Sequence, residues 1–129
     1  MKEPRWIGKQ ALLLLHGESL AEHGGAGGIR DDGMLDSALG RPLNQYAYGG
    51  VDDLAQLAAA YAFGIARNHP FVDGNKRAAL IAAGLFLSLN GLRLVADKVE
   101  AYEVTLALAA GDTSEDDFAN WIRKNSRSK

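Results

Sequence analysis

With 129 residues, 47% apolar and 23% charged, the chain has the length of one domain and enough apolar residues for a core without disulfides. A net charge of −2 and a pI near 5.9 leave no basic surplus for direct nucleic-acid binding. The absence of cysteine excludes a disulfide framework and a thiolate metal site, and no apolar run approaches the roughly 18–20 residues of a membrane span.

The expectation is a cytoplasmic protein with no membrane partner and no targeting segment. In chain order, apolar residues recur at helical spacing between Gly, Pro and Asp punctuation. A first helix is expected from about Gly8 to His23, stopped by "GGAGG". A short second one, "DGMLDSALGR", follows Asp32 as its N-cap and ends at Pro42. "LNQYAYGGV", Leu43 to Val51, shows no helical period and reads as a loop or small hairpin.

Two segments, Asp52 to Arg67 and Lys76 to Gly91, are apolar on nearly all sides, as central helices are. "LRLVA" after Gly91 suits a short extended piece. Asp97 and Glu100 make a capping-box-like helix start, and Ser114 caps a final amphipathic helix, "EDDFANWIRKNSR". With no repeat or linker, residues 1–129 form a single all-α bundle whose central helix–loop–helix holds "RNHPFVDGNKRAAL".

That stretch poses a problem. Lys76 and Arg77 stand in the first turn of a helix, where cations oppose the dipole by about 0.3–1 kcal/mol each. An external anion resolves it, because a helix start offers free backbone N–H groups. Gly74 permits close approach, and Asn75, Lys76 and Arg77 are donors for phosphate oxygens. Asp73 is a hard oxygen ligand for Mg²⁺. His69, pushed out of the helix by Pro70, has the chemistry of a general base. Together these parts describe phosphoryl or nucleotidyl transfer.

Plainer readings exist for each residue. His69 fits a structural role, Asp73 a turn, Lys76 and Arg77 a solvated or ion-paired face, and Phe71 a core anchor. His16 and His23, seven apart, lack the further ligands of a metal site. "EHGGAGGIRDDG" fits no dinucleotide or P-loop pattern and reads as a connector. Trp6, Phe118 and Trp121 read as packing aromatics.

"HPFVDGNKR" resembles the signature H-x-F-x-[D/E]-[G/A]-N-x-R of the Fic/Doc superfamily. "LHGESLAEHGGAGGIRDDGMLDSALGRP" is similar to its Doc (death-on-curing) toxin branch, and the resemblance runs from about Leu13 to Leu94. It implies a compact Fic/Doc-like helical bundle and an enzyme that uses ATP and Mg²⁺. His69 would be the catalytic base on a protein hydroxyl, and Asp73 the metal ligand. Asn75 and Arg77 would hold the nucleotide phosphates, with the amides from Gly74 onward as an anion hole. Arg67, in the last turn before the loop, is a further candidate for phosphate contact. Tyr46 and Tyr48 fall where such folds carry a flap that docks the target.

AMP-transferring Fic enzymes read H-P-F-x-[D/E]-G-N-G-R-x-x-R, whereas this chain has Lys76 for the second glycine and Leu80 for the last arginine. The lysine fills space, and the leucine removes a phosphate clamp. The "NKR" pattern resembles that of the Doc branch, which implies a protein kinase that uses ATP in a reversed orientation to phosphorylate elongation factor Tu. The resemblance therefore implies a toxin that inhibits translation by phosphotransfer. AMP transfer, and a binding module with a degenerate phosphate site, are the alternatives. No [S/T]-x-x-x-E-[G/N] inhibitory helix occurs, so restraint is expected from a Phd-like antitoxin whose disordered tail folds on binding.

Overall fold

Side-chain caps set most of the helix starts. In the computed structural model, which describes residues 2–129, six helices and a two-stranded sheet follow one another. They are α1 (Lys9–His23), α2 (Asp32–Gly49), α3 (Leu54–Asn68), α4 (Asn75–Leu89), β1 (Leu92–Leu94), α5 (Lys98–Ala110), α6 (Glu115–Lys124) and β2 (Ser126–Ser128). Asp31, Asp53, Asp97 and Ser114 each accept from the backbone N–H three residues on, at 3.0 Å. Each meets one of the orphan donors that a helix start leaves. At Asp97 the capping box is half formed, because the Glu100 carboxylate accepts from Trp121 Nε1 at 2.9 Å instead.

Packing centres on α3, where ten of fifteen residues are buried. Small residues allow close approach: a Cβ on Gly64 would stand 3.0 Å from the Ala38 backbone of α2. Around it lie Leu12, Leu35, Phe86, Leu108 and Phe118, all with no exposed surface. Each fully buried large side chain contributes roughly 1.5–3 kcal/mol. Trp6 packs against Tyr46 and Phe86, and Trp121 tilts against Phe118.

Three expectations are corrected. The second helix is capped by Asp31 rather than Asp32. It also runs through Pro42 to Gly49, so "LNQYAYGGV" is mostly helix and not a loop or hairpin. A proline inside a helix costs about 3 kcal/mol. Here Pro42 is buried, and the segment beyond it is held by Arg41 and Gln45, both bonded to Glu115 of α6, and by Tyr46 against Trp6. Gly50, left-handed at φ 69°, ends the helix as its N–H bonds back to Gln45 O. The last helix stops at Lys124, and residues 126–128 form β2, antiparallel to β1 with Arg93 opposite Arg127.

Candidate active site

The α3–α4 loop, residues 69–74, is fastened from three directions. His69 caps α3 in the left-handed conformation (φ 50°, ψ 57°), the sole non-glycine residue with positive φ among those described. Pro70 keeps it out of the right-handed helical region, and a left-handed residue of this kind costs about 1–3 kcal/mol. From α4, buried Asn75 holds the loop with both ends of its amide. Its Oδ1 accepts from Phe71 N at 2.9 Å and its Nδ2 donates to Phe71 O at 3.0 Å. From α1, buried His16 stacks on the Phe71 ring at 3.9 Å and donates through Nε2 to Asp73 O at 2.8 Å.

The third brace is the glycine-rich connector between α1 and α2. It runs antiparallel to the loop, with Ile29 bridging Phe71 and Val72 N–H donating to Gly28 O at 3.1 Å. Arg30 donates through Nε to His69 O at 2.7 Å and through Nη2 to Asn68 O at 2.8 Å. Pro70 O accepts from both Arg30 N (2.7 Å) and Asp31 N (3.0 Å). The connector also closes on Asp73: a Cβ on Gly25 would meet Asp73 Oδ2 at 2.9 Å and Leu20 Cδ2 at 2.8 Å.

Helix α4 begins on left-handed Gly74 with no side-chain cap, and its first bond is Ala78 N–H to Gly74 O at 2.9 Å. Among the described residues the amides of Asn75, Lys76 and Arg77 have no protein partner, so the helix start is an open anion site. His69 and Lys76 line one cleft of about 520 Å³ with Leu106, Ala107 and Asp112 of the α5 end. Arg67 lies 5.3 Å over the Phe63 ring, near Gly111. Arg77 turns the other way, into a groove between α1, α4 and α5, 6.0 Å from the Tyr102 ring. The exposed Asp73 carboxylate takes the Gly74 N–H at 2.8 Å.

His69 and Lys76 therefore share one cleft, and the unpartnered amides belong to the same helix start as Lys76, while Arg67 lies over Phe63 and Arg77 faces the groove beside Tyr102. The Asn75 side chain, expected to donate to phosphate, is fully engaged by Phe71, which leaves its backbone N–H as its contribution. Tyr46 and Tyr48 sit on α2 and not on a loop flap; Tyr46 is packed on Trp6 and Tyr48 is 88% exposed. His16, Gly25 and Arg30 were missed as parts of the site. No local pattern marks them, because each acts on a loop about 40 or more residues away.

His16 meets the main-chain carbonyl of Asp73, and no cluster of three metal-ligating groups occurs among the described residues. A single exposed carboxylate next to an anion site suits Mg²⁺, which keeps waters and shares phosphate oxygens, better than a caged metal.

Comparison with known proteins gives the chain's family. The family model described as the Fic/DOC family matches residues 6–87. The chain is 36% identical over 120 residues to a protein named Protein kinase doc of Escherichia phage P1, covering 93% of this chain and 94% of that one. It is 49% identical over 77 residues to one named Toxin Doc of Mycolicibacterium smegmatis, covering 57% of this chain and 58% of that protein.

Proposed function

The chain belongs to the Fic/DOC family, and we propose on that premise that it is a Doc-type toxin, a protein kinase that transfers the γ-phosphate of ATP to a protein hydroxyl. The observation that carries this reading is the shared cleft of His69 and Lys76 beside three unpartnered amides. His69 takes the proton of the target hydroxyl as that oxygen bonds to the γ-phosphorus. The bond from that phosphorus to the β–γ bridging oxygen breaks, and ADP leaves. The amides of residues 75–77 and the Lys76 ammonium hold phosphate oxygens where charge builds up. Asp73 is the residue that would hold Mg²⁺, which when bound neutralises phosphate charge and fixes its orientation. Lys76 within the cleft fills room that an AMP-transfer site leaves open, which favours phosphotransfer.

The acceptor we infer is elongation factor Tu, so that translation is the process inhibited, in the cytoplasm; no described helix is long and apolar enough to cross a membrane. The partner is an antitoxin of the Phd type. Its tail, folding as an amphipathic helix, suits the groove of about 610 Å³ lined by Leu15, Leu80, Ile81 and Ala101, with Arg77 in it. An occupant there covers Arg77. Replacing Leu15 by Lys is expected to weaken antitoxin binding at least tenfold while phosphotransfer persists, as read by calorimetry beside the kinase assay.

The intact mass of purified elongation factor Tu, after incubation with this protein, ATP and Mg²⁺, tests the reading. A single-phosphate gain that His69→Ala abolishes is expected. An unchanged mass rejects the assigned target, and a nucleotide-sized gain makes the protein an AMP transferase.

A further inference from the structure

Three consecutive carbonyls, those of Asn68, His69 and Pro70, all accept from the Arg30–Asp31 segment. The first two are taken by one guanidinium, through Nε and Nη2. That fork is specific to arginine; a lysine ammonium at the end of a flexible stem lacks the paired, planar donors. The residue so fastened is His69, whose left-handed backbone persists only where its surroundings over-determine it. Helix α3 is anchored elsewhere by its buried face and has no need of a polar clamp on its exposed C-terminal end.

We propose that Arg30 is a positioning residue for the reaction: it pins the main chain of His69 and so fixes where the imidazole stands over the cleft. This rests on the phosphotransfer reading of that cleft. Arg30 reaches the carbonyl side of the loop, away from the free amides of α4, so its effect falls on the chemical step and leaves nucleotide binding alone. A misplacement of about 1 Å at a reacting group costs on the order of a hundredfold in rate.

The test compares Arg30→Met and Arg30→Lys with the unaltered chain, using ATP, Mg²⁺ and purified elongation factor Tu. The His69 ring signals are followed by NMR in the same samples. For Arg30→Met the expected result is a kcat lower by about 10- to 100-fold, with the KM for ATP unchanged and Tm within about 4 °C. The His69 ring resonances shift or broaden, and Arg30→Lys recovers part of the rate. An unchanged kcat, or a loss explained by a raised KM or a collapsed Tm, overturns the proposal. If the unaltered chain transfers nothing to elongation factor Tu, the assigned target fails, and the NMR comparison decides alone: unmoved His69 signals in Arg30→Met overturn the pinning, and displaced ones uphold it.

Discussion

Asn75 illustrates how a side chain can serve a ligand site without touching the ligand. Its amide replaces the hydrogen bonds that a buried turn at Phe71 would otherwise lack. Asn75→Ala leaves both backbone groups unsatisfied and is expected to lower stability by about 1–3 kcal/mol in urea unfolding. It should also weaken Mg²⁺–ATP binding in calorimetry, because the amides at the start of α4 lose their register. Gly25→Ala is a second case. The added methyl would stand 2.8 Å from Leu20 and 2.9 Å from the Asp73 carboxylate, at a φ of 127° that disfavours any side chain. Weaker Mg²⁺ dependence of nucleotide binding, with the helical content by circular dichroism preserved, is the expected result. The Lys76–Arg77 pair stands out in the sequence because cations oppose a helix start, and His69 because a proline follows it. Asn75 was half legible, since the same amide can donate to a phosphate or to a carbonyl and nothing in the sequence chooses between them.

Among the elements, helix starts were read to within about two residues, and the failures fall at helix ends. Local propensity placed a break at Pro42, but the segment after it is paid in tertiary contacts that propensity does not see. Glu115, 15% exposed at its side chain, accepts from both Arg41 and Gln45. Glu115→Ala should therefore loosen α2 beyond Pro42, raising amide exchange over residues 43–49 while α3 stays protected. The double glycine after Tyr48 belonged to the helix end rather than to a turn, a distinction that depends on φ at Gly50. The last strand was missed for a similar reason: "SRS" has no strand signature of its own and pairs because β1 presents an open edge.

For the whole molecule, the N-terminal segment is tied to the core by Tyr61, whose buried hydroxyl accepts from Ile7 N at 3.1 Å. Burial raises its pKa above the ordinary 10.0, against the weaker opposite pull of the Ile7 hydrogen bond. The folded state thus favours the neutral phenol, and the unfolded chain ionises first. Stability is complete below pH 10 or so and declines as pH rises through the raised folded value. Chemical unfolding at pH 8 and at pH 11 should display this loss, and Tyr61→Phe should reduce it, at a cost of about 1 kcal/mol at neutral pH.

The bracing of the loop by His16, Gly25 and Arg30 bears on how such proteins are found in genomes. A chain whose translation started at Met34 would hold every residue of "HPFVDGNKR" and would match the signature in full. It would keep the Asn75 bonds to Phe71 but lose His16, Gly25 and Arg30, and with Arg30 the clamp on the left-handed turn at His69. Signature and competence therefore part company in truncated genes: the motif is a necessary label, and residues 16–30, far ahead of it in the chain, decide whether the label describes a working site.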